Sequence, residues 1–457
     1  MDPTSSSGTV VFRLLAAVVL LAPLPFGAQR PWAWSLMAAA VGLLLVAWGT
    51  LVAAGATRQP VPLRRLAPAA VPFLLVLAWA VLQGVPGLSP LPAHPMWQEA
   101  LQELARPGGA AVSADPAMTR DATLRLAAYG GIFFLAVQLG RDRARAREGL
   151  VAFAVAGVLY AAYGLAVHFS GAGTVLWYDK WAYVDDLTAT FVNRNSYAAY
   201  AGLGLLACLG LFIIALPTQA TGRRRAHDLA EAVLLRAAPF LAGALILGTA
   251  LMLSHSRGAL LATGAGLMVL IAALAGARVV RARQAFLLAM FLAAGVLMLL
   301  SGSGAVTVER FTEVTTDDAG RLSLARLTLD AIRDAPWTGS GLGAFEQAFS
   351  LYRDVSLGEP VAWDFAHNVH LELAMDLGVP AALLLYASFG AILAACILAL
   401  GRRRRDQVYP AVALAAAATL GLHGLVDFSV QIPAVAASLA FLLGLGYAQS
   451  WSHEGKS

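Results

Sequence analysis

Apolar runs of membrane-spanning length recur along almost the whole chain, separated by short polar segments. A bilayer core takes roughly 17–25 helical residues to cross. The runs fit twelve such spans, at 9–28, 33–55, 66–86, 122–140, 147–169, 196–216, 233–254, 258–277, 284–301, 378–400, 409–427 and 431–450. They are continuous rather than alternating, which excludes a β-barrel, whose strands repeat every second residue. The pattern predicts an all-α, polytopic transmembrane helical bundle.

Basic residues sort these spans into an orientation. Arginines cluster at Arg58, Arg64 and Arg65; at Arg141, Arg143, Arg145 and Arg147; at Arg223 to Arg225; at Arg278, Arg281 and Arg283; and at Arg402 to Arg405. Each cluster falls in an alternate loop between spans, as expected when basic loops stay cytoplasmic. Both termini are then inside, and the segments 87–121, 170–195, 255–257 and 302–377 lie outside. Two of these are long enough to fold. Segment 87–121 carries a short amphipathic piece with Trp97, Leu101 and Leu104 on one face, read as an interfacial helix. Segment 302–377 is predicted to hold an amphipathic helix near 322–335, with Leu324, Leu327, Ala331 and Ile332 as its apolar stripe and Pro336 as its stop. It carries twelve acidic residues against five basic ones. The chain thus divides into 1–301 with nine spans, 302–377 as a large helical periplasmic loop, and 378–457 with three spans and a tail.

Composition narrows the class. Of 457 residues, 59% are hydrophobic and 13% charged, and the net charge of +5 comes from Arg-rich inner loops. The excess therefore reports topology and excludes a nucleic-acid partner; the partner it implies is the lipid bilayer. Cys208 and Cys396 both sit in apolar runs, so neither a disulfide nor a metal site is expected from them.

Three polar motifs stand where a membrane makes polarity costly, and such residues are functional candidates by default. The first is Asn193-Arg194-Asn195, opening the sixth span. A guanidinium fork suits phosphate oxygens, and a helix start favours an anion, although a snorkelling interfacial Arg would look the same. The second is Ser254-His255-Ser256-Arg257-Gly258, a tight outer turn in which Arg257 runs against the positive-inside bias; a cap on helix carbonyls is the plainer alternative. The third is His367-Asn368-Val369-His370-Leu371-Glu372, before the tenth span. His367 there suits a general base near neutral pH, with His370 or Glu372 in support. A metal-binding pair is disfavoured because neither an HExxH pattern nor a cluster of further ligands accompanies it, and a structural capping His is the other alternative. Gly339-Ser340-Gly341-Leu342-Gly343 follows a helix and lacks the Lys of a P-loop, so it is read as a turn. Asp185-Asp186 is the nearest approach to a carboxylate metal clamp and is weak.

Taken together, SHSRGA at 254–259, the segment 326–349 and HNVHLELAMDLGVP at 367–380 resemble the O-antigen ligase and O-antigen polymerase superfamily of bacterial surface-polysaccharide enzymes. The likeness is specific from the seventh to the tenth span and vague over the first five. It implies a glycosyltransferase in the bacterial inner membrane with its active site facing the periplasm. The donor would be a glycan on undecaprenyl diphosphate, and the acceptor lipid A-core or another surface glycan. The transfer would be inverting and metal-independent, with no cofactor. The family's paired arginines map onto Arg194 and Arg257 as donor-diphosphate ligands and its loop histidine onto His367 as catalytic base. Asn193, Asn195, His255, Ser256, Asn368, His370 and Glu372 would support them. Ligation, repeat-unit polymerisation and transfer to a protein hydroxyl share these motifs and differ in the acceptor. A lipid-linked sugar transporter or an assembly scaffold is the reading from another class; transporters place charge at mid-membrane and show repeated halves, which this chain does not suggest.

Overall fold

A computed structural model describes residues 6–87, 92–104, 109–216, 233–280, 316–357, 363–403 and 405–451. It is an all-α, multi-pass membrane bundle, with one antiparallel hairpin of two-residue strands as its sole β structure among the described residues. The helices are α1 (Ser6–Leu21), α2 (Pro31–Ala53), α3 (Leu63–Gln83), α4 (Met96–Leu104), α5 (Pro116–Leu139), α6 (Arg143–Ser170), α7 (Arg194–Ala215), α8 (Ala238–Leu253), α9 (Arg257–Gly276), α10 (Thr316–Asp334), α11 (Phe345–Phe349), α12 (Val369–Leu377), α13 (Val379–Arg402), α14 (Val408–His423) and α15 (Pro433–Ala448). The strands β1 (Thr174–Val175) and β2 (Tyr178–Asp179) lie between α6 and α7. Among the described residues eight helices are long and apolar enough to cross a membrane, and α1, α14 and α15 are shorter apolar helices. The predicted ninth span at 284–301, the start of the loop at 302–315 and the arginines at 223–225, 281 and 283 lie outside the described residues.

Helix boundaries follow capping chemistry more than hydropathy. Helix α5 starts six residues before the run at 122–140 because Asp115 caps it, accepting from the N–H groups of Ala117 and Met118, with Pro116 next in line. The polar first turns of a helix carry no lipid-crossing signal, so hydropathy misses them. Asn193, Ser256 and Asn368 cap α7, α9 and α12 in the same way.

All sixteen residues of α15 are buried, and most of α7 is as well. The two pack on each other and on α14, with α5 and α9 beside them. Lipid tails are as apolar as leucine, so such contacts rest on close packing of small side chains; α15 supplies Ala434, Ala437, Ala440, Gly444 and Ala448. Helices α2, α3 and α13 turn Leu36, Leu43, Leu74, Leu75, Leu383 and Ile397 outward, as the bilayer requires.

Helices α10, α11 and α12 form a separate small core from Leu324, Ala331, Phe345, Ala348, Phe349, Ala366 and Met375, with Leu327 and Ile332 packed against it. The predicted stripe is therefore the buried face of α10. One boundary differs from expectation in a way that matters below. The runs at 409–427 and 431–450 are interrupted earlier: α14 ends at His423 and α15 begins at Pro433. The intervening turn is hidden in the sequence because Leu422, Leu425 and Val426 are apolar.

Candidate functional site

The turn after α14 is where the three predicted motifs converge. At the start of α7, Asn195 donates from Nδ2 to Asp427 Oδ2 at 2.7 Å. At the start of α9, Gly258 approaches so closely that a Cβ there would lie 3.0 Å from Val426 and 3.4 Å from the His423 ring. Before α12, the His367 ring meets Phe428 edge-on at 5.1 Å between centroids, and Phe365 stacks on Phe428 at 4.2 Å. The Val369 N–H donates to Gly424 O at 2.8 Å. From α10, Arg321 reaches Val426 O. Residues 423–428 thus join segments that lie up to 232 positions away in the chain.

Asp427 is buried and fully used. Its Oδ1 accepts from the Ser429 N–H at 2.8 Å and from the Ser429 hydroxyl. His423, in the last turn of α14, is buried within electrostatic reach of Asp427 and Arg321. Neither residue was singled out from the sequence. Their signal was two ionisable side chains inside an otherwise apolar run, which lipid cannot accommodate without partners.

Asn193 Oδ1 accepts from the N–H groups of Asn195 and Ser196, so Arg194 occupies the first helical position of α7. Its Nη1 bonds Asp186 Oδ2 at 2.7 Å and its guanidinium lies over the Tyr183 ring at 5.4 Å. The other oxygen of Asp186 lies 2.7 Å from His255 Nδ1. The weak carboxylate motif of the sequence thus joins Arg194 and His255 through the two oxygens of Asp186. Arg257, half-buried, takes the first position of α9 directly after its cap, Ser256, whose Oγ accepts from the Ala259 N–H. Helices α7 and α9 pack together, so both positive helix ends open near the same place.

His367 sits immediately before the cap of α12 with a φ of +50°, in the left-handed region that non-glycine residues rarely adopt. The Trp363 ring also meets the imidazole, nearly perpendicular to it at 5.7 Å between centroids. Asn368 spends its side-chain oxygen on the N–H groups of His370 and Leu371, so it fixes the helix start that carries the imidazole. Both ring nitrogens of His370 are engaged, Nδ1 with the Tyr386 hydroxyl at 2.6 Å and Nε2 with Gly421 O at 2.8 Å. His370 is a staple between α12, α13 and α14. Glu372 holds the same turn from beneath: Oε2 accepts from the Ala366 N–H at 2.8 Å. One helical turn on, Asp376 Oδ2 accepts from the Gly343 N–H at 2.7 Å. Burial pushes the Glu372 carboxyl up to about 7, and burial together with the Glu372 charge lifts Asp376 well above the usual range. The Gly339–Gly343 turn wraps the end of α12, with the N–H groups of Ser340 and Gly341 on Met375 O and Asp376 O. Gly339, at φ +66°, has no room for a Cβ against that backbone.

Residues 242–386 match the family model described as O-Antigen ligase. The matched stretch runs from within α8 to within α13 and includes His255, Arg257, His367 and Glu372; Arg194, Asp186 and Asp427 lie outside it. No curated protein matches the chain.

Proposed function

We propose that this chain, whose residues 242–386 match the O-antigen ligase family model, is a membrane glycosyltransferase. It moves a glycan from an undecaprenyl-diphosphate donor to an acceptor hydroxyl at the periplasmic face of the bacterial inner membrane. The observation that carries this reading is the convergence on residues 423–428 of two arginine-bearing helix starts and one histidine-bearing helix start.

A lipid diphosphate is a strong anion at the membrane surface. Arg194 and Arg257 hold it with charge-assisted hydrogen bonds, strengthened in a site partly shielded from water, and the starts of α7 and α9 add their dipoles. These donors stabilise the charge that grows on the leaving diphosphate. The acceptor oxygen attacks the anomeric carbon from the opposite face, the carbon–oxygen bond to phosphate breaks, and its electron pair leaves with the diphosphate. His367 takes the hydroxyl proton as the new bond forms. Asn193, Ser256 and Asn368 hold the three helix starts, and Asn195, His255, His370 and Glu372 support them. No step requires a metal or cofactor.

Ligation to lipid A-core or another surface glycan is the first reading, and repeat-unit polymerisation is the alternative of the same class. Purified protein in detergent, given a lipid-linked oligosaccharide and lipid A-core, tests both. A single addition to lipid A-core identifies a ligase, and a ladder of products on the donor lipid identifies a polymerase. An absence of transfer to either acceptor, with donor bound, counts against the proposal.

A further inference from the structure

We infer that Asp186 is a positioning residue that makes Arg194 and His255 into one phosphate clamp, an inference that rests on the donor-binding reading above. The carboxylate has both oxygens in use on two different cationic or donor groups. Oδ2 is 2.7 Å from Arg194 Nη1, and Oδ1 is 2.7 Å from His255 Nδ1. An ionised carboxylate only accepts hydrogen bonds. His255 Nδ1 therefore carries the hydrogen in this pair, and Nε2 is the nitrogen left to meet a ligand. The His255 side chain is 45% exposed while Asp186 is 11% exposed. The carboxylate is thus the buried support and the imidazole the presented group.

The hub is held rigidly enough to position others. The Asp186 N–H bonds Tyr183 O, the next residue's N–H bonds Leu253 O at the end of α8, and Lys180 Nζ donates to the Asp186 carbonyl at 2.7 Å. The Thr190 hydroxyl ties the same loop to Pro23 O. A fixed carboxylate restricts a guanidinium to one orientation, so less freedom is lost when a ligand arrives. His255 also has a φ of +52°. That backbone is disfavoured for a side chain of its size and is retained here beside the hub. His255 and Arg257 flank the cap residue of α9, so the clamp joins the α7 donor to the α9 donor. The ligand class is a phosphate group of a membrane-anchored diphosphate.

The test uses full-length protein in lipid nanodiscs with undecaprenyl diphosphate as the probe, and binding is measured for wild type, Asp186→Ala, Asp186→Asn, Arg194→Ala and the Asp186→Ala/Arg194→Ala double variant. Asp186→Ala is expected to weaken binding about tenfold, and the double variant to lie below Arg194→Ala by clearly less than that factor, because only the support of His255 is left to lose. Asp186→Asn keeps an acceptor for His255 and its volume, but turns an amide N–H toward Arg194. It is expected to bind the probe several-fold more weakly and to raise donor KM by a similar factor, and it carries the test if the alanine variant fails to fold. Binding as tight as wild type in Asp186→Ala and Asp186→Asn overturns the proposal, as does tighter binding, which would make Asp186 a stand-in for phosphate. Losses that multiply in the double variant overturn it too. If Arg194→Ala itself leaves binding unchanged, or wild type does not bind the probe, the donor-binding reading fails instead.

Discussion

The starts of α9 and α12 are built alike and equipped differently. Each has a histidine at positive φ, +52° for His255 and +50° for His367, followed by a capping residue, Ser256 or Asn368. His255 rests on a carboxylate, whereas His367 meets the rings of Trp363 and Phe428 in near-perpendicular contacts. One local backbone device therefore presents two imidazoles in opposite settings. A ring nitrogen on a carboxylate suits a donor that meets phosphate. The His367 ring is oriented at least in part by its aromatic neighbours Trp363 and Phe428.

The largest expected effect breaks the comparison at α12. His367→Ala should reduce transfer by about 10² to 10⁴ while donor binding persists. His255→Ala should instead raise donor KM and leave kcat within a few-fold of wild type, and steady-state kinetics over donor concentration separate the two. Next is the joint between the two starts. Asp427→Ala leaves Asn195 and Ser429 without their buried acceptor, and should cost on the order of 1–3 kcal/mol, read as a lower thermal midpoint in detergent. Transfer should fall along with it, because the start of α7 loses its bond to the turn that the starts of α9 and α12 also pack against.

A third expectation concerns pH and belongs to the α12 side alone. Glu372 and Asp376 are buried acids whose folded-state values lie above their unfolded ones. Between the two values the folded protein holds more protons, so stability is greatest at low pH and declines as pH rises toward about 7. Glu372→Gln keeps an acceptor for the Ala366 N–H and should flatten that decline, measured as thermal midpoints from about pH 5 to about pH 8. An unchanged slope would show that the pair does not control it. The smallest effects should come from the caps. Ser256→Ala and Asn368→Ala are each expected to cost about 1 kcal/mol, and a much larger loss of transfer in the second would show that the His367 turn tolerates less displacement than the His255 turn.

How much of this was legible follows from where each signal resides. The bundle was readable because long apolar runs are local. The apolar stripe of α10 was readable for the same reason, since Leu324 and Ala331 lie on one helical face. Arg194, Arg257 and His367 were conspicuous as polar residues beside lipid. Asp186 carries only a weak local signal because its role needs partners 8 and 69 residues away. Asp427 was lost inside a predicted span, since its neighbours are apolar and its cap on Ser429 has no hydropathy signature. Glu372 was noticed, but its bond to the turn before His367 was not.

The sequence by itself determined that this chain crosses a membrane as helices and which few side chains are too polar to lie in lipid. Hydrocarbon satisfies no backbone group, so each apolar run must complete its hydrogen bonds within itself, and local composition is enough to require it. Only the tertiary structure decided which polar groups meet. The partner of Asn195 is Asp427, that of Arg194 is Asp186, and the neighbour of His367 is Phe428. Those pairings are set by how α7, α9, α12 and α14 pack, through contacts between residues far apart in the chain, and no local pattern encodes them.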